Sequence, residues 1–212
     1  MRLLIIILFI TTQINYAQSN EVLKKNIEND STTAIFYYDK GVEKIESEDY
    51  NGALLDFDEA IKFNPKCADC YHNKAYVKDQ LEDFIGAIED YTIAIMLNPN
   101  DDTVYNNRAI LKSLFEAYEG ALHDLDRAIN INPNDAEYYN NRGVVKQDMG
   151  NIKGAIEDYT KAIGLNSNNG LAYHNRGLCK QKLKDFDAAC IDAEKAKQLG
   201  YDAEELIEAV CN

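Results

Sequence analysis

Pro65, Pro99 and Pro133 stand 34 residues apart, and Ser167 falls where a fourth proline would. A period of that length confines a chain to a stack of helix–turn–helix units, because two short helices cannot bury their apolar faces without a neighbour. Set in register, the sequence gives five units starting at Ala34, Ala68, Asp102, Ala136 and Gly170. Ala53, Ala87, Ala121, Ala155 and Ala189 share the twentieth place, and Ala60, Ala94, Ala128, Ala162 and Ala196 the twenty-seventh. Tyr37, Tyr71, Tyr105, Tyr139 and Tyr173 share the fourth. The eighth holds Gly41, Ala75, Ala109, Gly143 and Gly177.

Each place has a physical role. Small residues let helix backbones approach closely, and aromatics such as Phe57, Tyr91 and Tyr159 fill the space between them. Breaks such as Glu48-Asp49, Glu82-Asp83, Gly150-Asn151 and Lys184-Asp185 separate a first helix, A, from a second, B. Asn-Pro-Asn at 98–100 and 132–134 closes helix B, because the residue before proline leaves the helical region. Asp101 and Asp135 then stand where a carboxylate caps the next helix A.

The pattern resembles the tetratricopeptide repeat, with its aromatic fourth place, small eighth and twentieth places, and a proline closing helix B. The resemblance covers residues 34 to about 201. It implies an all-α right-handed solenoid with units at 34–67, 68–101, 102–135, 136–169 and 170–201. Residues 202–212 read as a capping helix, in which Leu206, Ile207 and Val210 cover the fifth unit. Residues 18–33 are a linker or a short leading helix.

Residues 1–17 carry Arg2, then the apolar run Leu3–Ile10, and end at Ala17. This reads as a secretory signal peptide cleaved near Ala17; the run is too short for a membrane span. The whole chain carries 22 basic and 36 acidic side chains, a net charge of −14, and losing Arg2 with the leader makes it −15. That field repels phosphate backbones and anionic membranes, so neither nucleic acid nor membrane insertion of the mature chain is expected.

The commonest form of the repeat carries leucine seventh and tyrosine eleventh. Here the seventh place is Lys40, Lys74, Arg108, Arg142 and Arg176, the eleventh is lysine in every unit, and the twenty-third is Asp56, Asp90, Asp124, Asp158 and Asp192. The seventh and eleventh places lie one turn apart on helix A. They predict a structural ladder, Arg108 with Asp124, Arg142 with Asp158 and Arg176 with Asp192, that fixes register across helix seams.

In similar repeats the second, fifth, sixth, ninth, twelfth and thirteenth places of helix A line a concave groove. The sixth place holds Asn73, Asn107, Asn141 and Asn175, whose amides offer a donor and an acceptor to an extended peptide. His72, Asn106 and Asn140 at the fifth place, and Tyr76, Ile110 and Val144 at the ninth, complete the candidate groove. The lysines of a carboxylate clamp are missing from the second place, which holds Asp69, Thr103 and Glu137.

Five cysteines in an exported chain point to disulfides. Cys190–Cys211 would staple the cap to the array, with Cys179–Cys190 as the competing pair. Cys67 and Cys70 form a lone CxxC, read as a local disulfide or unpaired thiols, with redox activity as an alternative function. His72 does not directly follow Cys70 as haem attachment requires, and His123 and His174 lie in other units, so no metal or cofactor is expected. No nucleophile–base pair or phosphate loop stands out. The reading is therefore an exported, non-enzymatic module that binds a protein or peptide partner, with self-association as the structural alternative.

Overall fold

A computed structural model describes residues 30–211; the leader, with its cleavage near Ala17, and most of the linker lie outside the described residues. Every regular element among the described residues is an α-helix. The chain divides into two compact units, one ending at Asp90 and the other beginning at Tyr91.

In the first unit, α1 (residues 30–46), α2 (Tyr50–Phe63) and α3 (Ala68–Gln80) follow one another, with α4 (Phe84–Leu97) starting before the boundary. Ala53, Phe57 and Val77 form its core, with Tyr38, Val42 and Ile45 packed against them.

The second unit contains α5 (Asp102–Leu114), α6 (Tyr118–Ile131), α7 (Ala136–Asp148), α8 (Ile152–Leu165), α9 (Gly170–Lys182), α10 (Phe186–Gln198) and α11 (Glu204–Val210). Each of these helices packs on the next, and α5, α7 and α9 also touch in succession. That is the packing of a repeat solenoid, in which one helix of each pair stacks on its counterpart. Tyr105, Tyr138 and Tyr139 join Ala128, Ala162 and Ala172 in one cluster, while Ala155, Tyr159 and Cys179 form another. The Tyr105 and Tyr139 hydroxyls donate to the carbonyls of Pro99 and Pro133, tying each aromatic to the turn before it.

In two repeats glycine at the eighth place makes room for an aromatic ring sixteen residues later. A Cβ on Gly143 would lie 2.7 Å from the Tyr159 ring, and one on Gly41 would lie 2.6 Å from Phe57. Ala109 is fully buried in the cluster that contains the smaller Leu125.

The turn from helix A to helix B repeats too. Glu48, Glu82, Glu116, Gly150 and Lys184 all have positive φ, between 57° and 79°. In each case the next N–H donates to the carbonyl of the eleventh-place lysine, at 2.8–3.0 Å, the bond that closes a helix with a left-handed residue. Asp49, Asn151 and Asp185 then cap the following helix with a side-chain oxygen, and Asp83 accepts from the Gly86 N–H in the same register. At α6 the corresponding residue is Ala117, which has no side chain to do so.

The cap helix α11 lays Leu206 and Val210 on Ala189 and Ala193, and a Cys190–Cys211 disulfide holds it there. Cys67 and Cys70 are also bonded. Cys179 is free and buried, its thiol donating to Gln147 Oε1 at 3.0 Å, so the competing Cys179–Cys190 pair is set aside.

Ala117→Asp is expected to supply the missing cap and stabilise the protein by about 1 kcal/mol, seen as a higher denaturant midpoint with unchanged slope. Gly143→Ala is expected to cost roughly 1–3 kcal/mol by overpacking Tyr159, read in the same titration.

Candidate functional site

The binding-face candidates are held by helices that cannot slide, and charge is what holds them. Asp124, Asp158 and Asp192 are at most 4% exposed. Arg108 grips Asp124 with Nε at 2.8 Å and a terminal nitrogen at 2.7 Å, and Lys112 Nζ adds a third donor at 2.7 Å. Arg142 with Lys146 does the same at Asp158, and Arg176 with Lys180 at Asp192. The remaining guanidinium nitrogen reaches back to the preceding helix B: Arg108 to Thr92, Arg142 to Asp126 and Arg176 to Thr160. Each arginine also lies over the tyrosine three residues before it, 5.5–6.0 Å from the ring centre. In the first unit Lys40 and Lys44 meet Asp56, while Lys78 meets Asp90 at 2.7 Å.

Burial raises the Asp124 carboxyl, but Arg108 and Lys112 outweigh it and hold it below the usual carboxylate range. The Arg142 guanidinium is raised by its hydrogen bonds to Asp158, against burial, and then by Asp126.

The fifth and sixth places form a hydrogen-bonded chain between successive helices A. Asn141 Nδ2 donates to Asn106 Oδ1 at 2.9 Å, and Asn106 Nδ2 donates to Glu137 at 3.3 Å. Asn73 Nδ2 donates to the Tyr38 hydroxyl at 3.1 Å. Asn106 and Asn140 are only 3% and 5% exposed, which places both inside the stack and not on its surface. Asn107 and Asn175 are half-buried and make no side-chain hydrogen bond among the described residues. The sixth-place asparagines thus retain free amide atoms, whereas Asn106 and Asn140 serve the interior.

Beside Asn141 lies an open depression of about 260 Å³, lined by Ile110, Leu114, Leu125, Val144 and Val145, with Ser113 and Asp148 at its polar margin. Ile110 is 40% exposed and Leu114 62%. Three of the sequence candidates, Ile110, Asn141 and Val144, therefore share one apolar surface. Ser113, Leu114 and Asp148 complete it at the twelfth and thirteenth places; the place numbers were the sequence signal for them. In the first unit, His72 is half-buried and Tyr76 is 36% exposed.

The other clusters carry no comparable arrangement. Cys190, Cys211 and Glu194 gather atoms within 4.8 Å of one another, but the two sulfurs are already bonded together. Burial pushes the Cys179 thiol up to about 11, opposed by Lys182, which leaves it protonated and inert.

Models of the TPR repeat match residues 116–150, and tetratricopeptide repeat models match 136–169, 68–101 and 171–199. A comparison with curated protein sequences finds no significant match. Among solved structures, the MamA protein superimposes with a TM-score of 0.73 at 24% identity, covering 79% of this chain and 91% of that one. YrrB, described as a TPR protein with an unusual peptide-binding site, gives 0.73 at 20% identity over 88% of this chain and 96% of its own. Pseudomonas aeruginosa PilF gives 0.72 at 20% identity over 80% and 78%. At these identities the likeness is one of fold.

Asp124→Asn is expected to cost about 3 kcal/mol at neutral pH, because it leaves Arg108 and Lys112 short of a buried counter-charge. The folded Asp124 titrates below its unfolded value near 4, so its stabilisation is complete above that value and is lost as pH falls through the folded one. Denaturant titrations from neutral to acid pH should therefore show the gap between wild type and variant shrinking below about pH 4.

Its repeat models, its helix-pair packing and its fold neighbours agree: the chain belongs to the tetratricopeptide repeat family.

Proposed function

We propose that this protein is an exported adaptor that holds an extended segment of a partner protein on the face formed by helices α5 and α7. Its family is one of interaction modules and not of catalysts. The observation that carries the proposal is the pairing of an exposed apolar depression with amide groups whose hydrogen-bonding capacity is unspent. Asn141 uses its nitrogen within the stack and leaves its oxygen to accept from a peptide N–H. Asn107 and Asn175, one repeat to either side of Asn141 and so each about 10 Å from it, offer both atoms. A fold neighbour, YrrB, is itself described as having a peptide-binding site.

Export rests on the leader sequence of residues 1–17 and on the two disulfides, which persist in oxidising compartments. No helix among the described residues is long and apolar enough to cross a membrane. The acidic balance makes nucleic acid an unsuitable partner.

Self-association is the second reading, favoured by Phe115, Met149 and Leu183, which are 42–51% exposed at equivalent turns. Affinity capture from envelope extract, with the mature chain and an Asn107→Ala/Asn141→Ala/Ile110→Ser variant side by side, separates the two. The adaptor reading expects a partner lost from the variant while helicity and melting hold. Recovery of the chain alone, with a mass that grows with concentration, would favour self-association. An unchanged partner list would move the site to another face.

A further inference from the structure

The charges of α5 and α7 are nearly all spoken for, and what is left over describes a ligand. The basic residues of these helices are Arg108, Lys112, Arg142 and Lys146, and every one is engaged with Asp124, Asp126 or Asp158. Of their acidic residues, Asp102 accepts from Tyr138 at 2.7 Å and from Asn132 at 3.0 Å, and Glu137 accepts from Asn106. Asp148 remains: exposed, at the last position of α7, its carboxylate in no ion pair or hydrogen bond among the described residues. Among the described residues it is also the only formal charge lining the depression.

We infer that the depression takes an extended segment in which an apolar side chain is followed, two residues on, by lysine or arginine. This rests on the groove reading above and names the partner class. The apolar side chain sits against Ile110, Leu114 and Val144, and its basic neighbour reaches Asp148. Val144 and Asp148 are one turn apart, about 6 Å along the helix axis. Residues i and i+2 of an extended segment are about 6.6 Å apart and point to the same side. The ladder cations are each bound to an aspartate, Arg108 and Lys112 to Asp124 and Arg142 and Lys146 to Asp158, with Asp126 also on Arg142. The protein's net charge of −14 favours the same class of partner at long range.

Fluorescence polarisation tests this with the mature chain and three capped, dye-labelled probes: repeated Leu-Ser-Lys-Ser, repeated Leu-Ser-Glu-Ser, and repeated Ser-Ser-Lys-Ser. The first should bind best, weaken as ionic strength rises, and weaken about fivefold with Asp148→Asn. Ile110→Ser should weaken it as well, and Asp148→Lys should turn the preference toward the glutamate probe. Circular dichroism verifies that each variant folds. If the two leucine probes bind alike and respond to Ile110→Ser but not to Asp148→Asn, the groove stands and the basic-partner inference falls. If the lysine probes bind regardless of leucine and of both substitutions, the attraction is diffuse and groove and inference fall together. Failure of the first probe to bind also overturns the inference.

Discussion

A carboxylate buried between two helices is the constraint on which this stack is built. Removing Asp124 or Asp192 from water is costly unless charge is returned to it in a fixed geometry. Helix A returns it twice, from residues one turn apart, and the arginine fork matches the two carboxylate oxygens. The same guanidinium has a donor to spare, and it reaches the helix B of the preceding repeat. One aspartate thus sets the separation within a helix pair, and one arginine carries that setting to the next. Leucine and tyrosine at these places would supply more apolar burial but would tolerate sliding. The ion pair does not, because a shift of an ångström or two leaves a buried charge unmatched.

Once register is set by charge, volume is divided locally. Gly143 makes room for Tyr159 and Gly41 for Phe57, while Ala109 accompanies Leu125. The left-handed turn residue then points the chain into helix B, and the carbonyl bonded by the N–H of the residue after it belongs to the same eleventh-place lysine whose side chain serves the aspartate. Backbone and side chain of one residue therefore close the turn and neutralise the core.

What was legible in the sequence is what recurs. The alanine rows and the cation–Lys–Asp places could be read because five copies repeat one physical requirement, and the closing prolines because three do. The left-handed turn was harder to see: Glu48, Glu82, Glu116 and Lys184 do not advertise positive φ, and Gly150 alone marks the register. The burial of Asn106 and Asn140 was hidden too, because the amide chain from Asn141 through Asn106 to Glu137 joins residues of different places in successive repeats. The cysteine pairing needed three dimensions, since Cys179 faces Gln147 in the interior while Cys190 faces the cap.

The repetition fails at particular places. The scaffold places are nearly invariant from copy to copy, but the thirteenth reads Leu114, Asp148 and Lys182, and the second reads Thr103, Glu137 and Leu171. The amide chain inside the stack does not repeat either. Asn106 Nδ2 donates to Glu137 and Asn106 Oδ1 accepts from Asn141, both in the following repeat. For Asn140 the second-place counterpart is Leu171, which cannot accept. Asn175 does not donate to the Asn140 side-chain oxygen, which is buried without a hydrogen-bond partner among the described residues. A buried orphan acceptor costs on the order of 1–3 kcal/mol, so the sequence accepts a local loss of stability there. A chain selected only to stack would carry the amide chain through to the next repeat. That it does not, while the ladder beneath is kept intact, shows that periodic charge holds the stack even where the amide chain lapses.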